Sequence, residues 1–247
     1  MPRLTDLIHF HQGEAATING SGGKTSLMWL LAGSHRESKV LVTTTTKIYE
    51  PSPGLYNDYR DSRTLLQLPV KTGITLAGER LPGESGKLGA IDPETLKKGR
   101  LLFDLALIEG DGSRRMPIKG WAENEPVTPD YTGCTIGVIT LWPVGRQVNE
   151  SIVFRLPEFC AVSGAREGDI LTAGHVASAV AHPRGLFKGG RGRKVLLFNQ
   201  AEDQQGERQA VEVLGALGVG FLGGLALVVA GSALYNTGKI LWRNENE

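Results

Sequence analysis

The chain has 247 residues with 27 Lys and Arg against 26 Asp and Glu, a net charge of +1, so no overall field gathers nucleic acid or anionic lipid. Cys134 and Cys160 are too few for a disulfide framework and wrongly spaced for a zinc pair. The length fits one α/β domain over 1–247, able to bury roughly 70% of the surface its unfolded form exposes.

In chain order, "MPRLTDLIHFHQGEAAT" lacks an apolar core of signal-peptide length, which predicts a cytoplasmic protein. Apolar runs then recur at 14–18, 39–45, 103–113, 135–141, 194–200 and 225–232, each followed by small or polar residues and a helix-like stretch. Several are continuous rather than alternating, as expected of strands covered on both faces. They predict an α/β fold of three layers, a mostly parallel sheet flanked by helices, with ligands beyond the carboxyl ends of the strands. Residues 50–100 hold many prolines and glycines and read as a loop-rich insertion. "LTAGHVASAVAHP" predicts a short helix ending before Pro183. From Val213 to Gly238 no charge appears, but Gly215, Gly218, Gly220, Gly223, Gly224, Gly231 and Gly238 oppose a continuous membrane helix. A helix end, a turn and a buried strand are expected there instead.

The stretch "TINGSGGKTSLMWLLA", residues 17–32, departs from G-x-x-x-x-G-K-[ST], since Ile18 stands where the first glycine belongs. Its chemistry nevertheless meets the requirements of a phosphate cradle. Gly20, Ser21, Gly22 and Gly23 let backbone amides converge, Lys24 adds a cation, and Leu27, Leu30 and Leu31 give the helix that follows an apolar face. Lys24, Thr25 and Ser26 open that helix, and Thr25 is placed to ligate a phosphate-bound Mg2+. The similar "GESGKLG" at 83–89 has no strand before it and reads as a turn.

An acid at a strand end is the expected partner of the metal, and "LALIEGDGSRR" offers Glu109 and Asp111, two residues apart. "VTTTTKIYEP" places Thr45 and Lys47 at another strand exit, where they could meet a substrate anion or simply suit a strand. Arg114, Arg115 and Lys119 follow the acidic block and are candidates for an anionic substrate. "NQAED" resembles the N-K-x-D of guanine nucleotide proteins, in which the asparagine helps to fix the loop and the acid reads guanine; here Asn199 would fix the loop, Gln200 replaces the lysine and Glu202 or Asp203 would be the acid, although a helix cap also explains the stretch. ATP and GTP both remain open.

Taken together, "NGSGGKTSLMWLLA", "VLVTTTTKIYEP", "GKLGAI", "LIEGDGSRRMPIKGWAENEPVTP" and "HPRGLFKG…KVLLFNQAED" resemble the YqeC family, described as selenium-dependent hydroxylase accessory proteins. The resemblance carries Gly20, Gly22, Gly23, Lys24 and Thr25 onto the family's phosphate loop, and Glu109, Asp111, Gly112, Ser113 and Arg114 onto its acidic block. Lys119, Glu125 and Pro126 match the continuation. Asn19 departs from the family's usual apolar residue and Gly110 from its alanine. The resemblance implies a nucleotide-binding accessory protein; with the loop and the acidic strand end it leads to the expectation of a Mg2+-dependent NTP hydrolase in which Lys24, Glu109 and Asp111 are the catalytic candidates and Thr25 with Glu109 or Asp111 holds the metal. It implies as partner a selenium-dependent molybdenum hydroxylase or its maturation proteins. A small-molecule ligase or kinase and a nucleotide-sensing module are the alternatives; nucleic acid and membrane are not expected, and a homodimer is left open.

Overall fold

The structure is a computed structural model that describes residues 1–84 and 86–245. A nine-stranded sheet forms the centre. Its strands are β1 (Glu14–Gly20), β2 (Lys39–Thr44), β4 (Asp58–Arg60), β5 (Gly73–Ala77), β8 (Leu105–Glu109), β10 (Cys134–Thr140), β12 (Arg193–Asn199), β13 (Leu227–Ser232) and β14 (Thr237–Arg243). Two small sheets lie outside it: β3 (Lys47–Tyr49) with β6 (Glu79–Arg80) and β7 (Lys87–Gly89), and β9 (Ile118–Lys119) with β11 (Val153–Phe154).

The central order is β14-β13-β12-β10-β1-β8-β2-β5-β4, parallel except for the edge strand β14. All six apolar runs are strands of this sheet. Continuous burial along β1, β8, β10 and β13 follows from helices on both faces. On one face α1 (Lys24–Ser34) packs Leu27, Met28 and Leu31 against Ala16, Ile18, Leu107 and Val138. Burying each of those larger side chains contributes about 1.5–3 kcal/mol. On the other face α2 (Pro93–Gly99) covers the β8 and β2 side. There α3 (Leu156–Ser163), α4 (Ala173–Ala181) and α5 (Gln204–Ala216) cover β10, β12 and β13.

The segment expected to be a loop-rich insertion is more ordered than its composition suggests. Its "GITLA" is β5, fully buried beside β2, and β4 adds the sheet edge. Of "GESGKLG", Lys87–Gly89 forms β7, while Ser85 lies outside the described residues. The uncharged stretch from Val213 divides into the end of α5, a short helix α6 (Val219–Leu222) and β13, and among the described residues no helix is long and apolar enough to cross a membrane.

After β1 the chain crosses to β2, and β8 later fills the gap between them; β10 then extends the sheet on the opposite side of β1. The winding direction therefore reverses at β1, and the crevice beyond its carboxyl end is where such sheets bind ligands. The loop of residues 20–24 lies there.

Candidate functional site

The loop is shaped by glycines that no other residue could replace without movement. Gly20, Gly22 and Gly23 have φ of 105°, 77° and 115°. A Cβ on Gly20 would stand 2.1 Å from Val138 O, one on Gly22 2.5 Å from Thr140 Cγ2, and one on Gly23 2.2 Å from Asn199 Nδ2. The loop is thus pressed against the ends of β10 and β12. Ser21 N donates to Val138 O and Ser21 Oγ to Pro117 O, which fastens the arch at both sides.

Beyond Ser21 the pattern changes. α1 starts without a side-chain cap, and among the described residues the amides of Gly22 to Ser26 donate to no protein acceptor. Five unpaired donors at a helix N-terminus, joined by the helix dipole, are an arrangement suited to an anion. Thr25 and Ser26 are exposed at its mouth.

The acidic block sits behind this loop. Glu109 ends β8 on the α1 face, and its Oε2 accepts from Thr25 Oγ1 at 2.8 Å. Burial pushes the Glu109 carboxyl above its ordinary range, against the opposing pull of Lys24 and the Thr25 hydroxyl. Asp111 is fully buried. Gly20 N points at both of its oxygens, at 3.0 and 3.1 Å, while Oδ2 also accepts from Lys119 Nζ at 3.0 Å and Trp121 Nε1 at 2.8 Å. Its two oxygens are committed to the protein. Of the two acids offered to the metal, Glu109 is the one beside Thr25, while Asp111 lies deeper among these donors; the chain turns after Glu109, so the two acids do not continue one strand face. Asp111 holds the loop through the Gly20 amide.

Lys24 does not extend from the loop. Its Nζ donates to Gly20 O at 2.6 Å and lies 3.3 Å from Asp111 Oδ1 and 3.8 Å from Glu109 Oε1. Lys119, expected to meet an anionic substrate, is instead fully buried among Asp111, Gly112 O and Glu125. Glu125 in turn accepts from Arg155 at 3.1 Å. A continuous chain of charges therefore runs from the loop to the start of α3. Sequence reasoning misses Arg155 and offers Trp121 nothing beyond substrate contact. A tryptophan among glycines and acids close after an E-x-D block was the available signal.

The remaining candidates separate. Asn199 Nδ2 donates to Gly22 O at 2.7 Å and its Oδ1 accepts from Ala233 N at 2.9 Å, so this amide braces the loop, as the asparagine of an N-K-x-D motif does. Asp203 caps α5 by accepting from Gly206 N. Thr45 lies beside the site, where its N donates to Glu109 O and its hydroxyl to Val127 O. Lys47 is exposed on β3 and ion-paired with Glu84 at 2.5 Å. Arg114 and Arg115 are exposed, both with positive φ, and their guanidiniums lie 5.1 Å from the Phe154 ring and 4.6 Å from the Tyr49 ring. Two consecutive non-glycine residues in this conformation mark a constrained turn that holds two cations outward.

The donor set fits a magnesium ion held together with phosphate. Among the described residues no three His, Cys, Asp or Glu side chains gather as a metal cage. Mg2+ commonly takes only one or two protein oxygens and completes its shell with phosphate and water. Thr25 Oγ1 and the Glu109 carboxylate, 2.8 Å apart at the mouth of the loop, supply that number.

The two departures noted in the sequence meet in space. A Cβ on Gly110 would stand 2.2 Å from Asn19 Oδ1, so Asn19 occupies the room an alanine at 110 would need. Asn19 donates to Thr128 Oγ1 at 3.3 Å, while its Oδ1 is buried with no partner among the described residues.

The profile of the YqeC family, described as YqeC protein, matches residues 16–157, a span that contains the loop, the acidic block, Lys119, Trp121 and Arg155. The protein named Uncharacterized protein YqeC from Escherichia coli (strain K12) is 32% identical over 179 residues, covering 70% of this chain and 69% of that relative. With that span and that identity, the chain belongs to the YqeC family.

Proposed function

We propose that this chain is a P-loop-type nucleotide-binding protein, a Mg2+-dependent NTP hydrolase that serves the maturation of a selenium-dependent molybdenum hydroxylase. The observation that supports it most is the row of unpaired amides from Gly22 to Ser26, opening a helix at the sheet's reversal point with Thr25 bonded to Glu109. In this reading the amides and Lys24 bind the phosphates, and Thr25 and Glu109 hold Mg2+. The metal would neutralise charge on the transferring phosphoryl group. Arg114 stands outward where it can face an anion. The hydroxylase link rests on the family resemblance alone.

Titration calorimetry with ATP and with GTP, each with Mg2+, tests the reading. Lys24→Ala removes charge-assisted hydrogen bonds of about 1.5–3 kcal/mol and should weaken binding roughly 10- to 100-fold. Unchanged affinity in a folded variant, or no binding by the wild-type chain, would overturn it.

A second reading draws on a pocket of about 430 Å3 lined by Trp121, Pro157, Glu158, Val162, Arg184 and Lys188. Its size is that of a small-molecule site, and its Trp121 is the residue that donates to Asp111. An ATP-dependent kinase or ligase would place its acceptor there. Turnover that requires an added small acceptor would favour this reading.

A further inference from the structure

Each group that the nucleotide reading needs is engaged with another. Lys24 Nζ is bonded to Gly20 O, lies 3.3 Å from Asp111 and 3.8 Å from Glu109, and its side chain is only 3% exposed. Thr25 Oγ1 is turned onto Glu109 Oε2. Glu109 is thus approached from two sides by groups at the start of α1, a hydroxyl on one oxygen and an ammonium near the other.

A divalent cation bound by Glu109 would stand about 2 Å from a carboxylate oxygen. It would share a small, nearly dry space with the Lys24 ammonium, and like charges at such separations repel strongly where water is excluded. Asp111 cannot offset the added charge, because its oxygens already serve Gly20 N, Lys119 and Trp121. An anion above the five open amides gives Lys24 another partner within reach of the same loop.

We propose that Lys24 and a divalent cation are alternative counter-ions of Glu109, so that the cation site forms only after an anion in the loop has drawn Lys24 away. Lys24 is then both the phosphate ligand and the gate of the metal site. The proposal rests on the nucleotide reading of this loop. Linkage makes the effect reciprocal: phosphate raises cation affinity by the same factor that the cation raises phosphate affinity.

Mn2+ replaces Mg2+ as a probe, and electron paramagnetic resonance of the free ion counts what the full-length chain binds without nucleotide. Lys24→Met removes the charge and keeps most of the side-chain volume. The gate predicts that K24M binds Mn2+ alone at least about 10-fold more tightly than wild type, within the usual range of coupling between sites. The gain should vanish in the K24M/E109Q double variant. Wild type binding Mn2+ alone as tightly as K24M would overturn the proposal, as would a gain that survives E109Q. If K24M does not fold, wild-type crystals soaked in Mn2+ alone decide. Anomalous signal at Glu109 overturns the gate, and signal there only when ATP or GTP is added supports it. Calorimetry of wild type with ATP or GTP in EDTA tests the nucleotide reading separately, because the Mn2+ comparison between wild type and K24M contains no nucleotide.

Discussion

Replacing Asp111 with asparagine removes one negative charge from a fully buried position and leaves the shape almost unchanged. In the folded chain Asp111 accepts from Gly20 N, Lys119 and Trp121 and lies 3.3 Å from Lys24. Removing one partner of a buried pair costs about 3–5 kcal/mol, because the other charge stays buried without compensation. Two contacts cushion the loss here: Lys119 keeps Glu125 at 3.1 Å and Lys24 keeps Glu109 at 3.8 Å. Against that, the new amide group must turn a donor toward at least one of three donors, which adds about 1–3 kcal/mol for a polar group left unmatched. A total near 3–5 kcal/mol is the expectation, equal to a fall of roughly 6–20 °C in Tm for a chain of this size. Scanning calorimetry without nucleotide or metal measures it. If Asp111 were instead a vacant metal ligand, its replacement would leave the unliganded chain as stable as before, or more stable. A Tm within about 2 °C of wild type would therefore refute the role as loop clamp.

Gly23→Ala should cost about 2–4 kcal/mol, through a φ of 115° and a Cβ placed 2.2 Å from the Asn199 nitrogen that braces Gly22 O; urea unfolding at wild-type stability would contradict the loop geometry. Gly110→Ala should destabilise by about 1–3 kcal/mol alone and by less when Asn19→Ala opens the space. A double-mutant cycle with coupling below about 0.5 kcal/mol would show that the two positions are independent. Burial and the nearby acids Glu167 and Asp169 push the Cys160 thiol upward, so its thiolate is scarcer at pH 8 than that of a free cysteine. Iodoacetamide should therefore label Cys160 more slowly than it labels glutathione at pH 8, the two rates converging as pH rises; equal rates at pH 8 would refute this.

What the sequence made visible was whatever lies in one contiguous piece. The six strands are apolar runs because helices cover both sheet faces, and the loop declares itself because glycine, lysine and threonine must be neighbours to cup an anion. β5 was hidden by the prolines and glycines around it: "GITLA" is too short to signal burial until β2 supplies a partner. The two-residue spacing of Glu109 and Asp111 places them on one face only while a strand continues, and β8 ends at Glu109. Beside two arginines in the sequence, Lys119 reads as part of a basic edge. Whether a lysine is solvated or buried depends on partners that only the fold brings in, here Asp111 and Glu125 across two turns. The Asn19 and Gly110 departures looked unrelated because they lie on β1 and just beyond β8, strands that pair far apart in the chain.

The charges of this network constrain what the site can accept. Lys24, Lys119 and Arg155 face Glu109, Asp111 and Glu125, three cations against three acids joined by ion pairs of 3.0 to 3.8 Å. With all six groups ionised such a network is neutral, and a dication alone would leave it with an excess of two charges in a poorly hydrated space. A phosphate alone would draw Lys24 outward and leave Glu109 short of a counter-ion. A metal–phosphate pair would solve both problems at once: the anion would take Lys24 and the five amides, and the cation would take the Glu109 carboxylate that Lys24 vacates. Asp111, by contrast, has Lys119 at 3.0 Å as a counter-ion besides Lys24 at 3.3 Å. On this argument the loop's rest state is neutral because Lys24 is folded inward, and the ligand best suited to unfold it is one that brings its own cation.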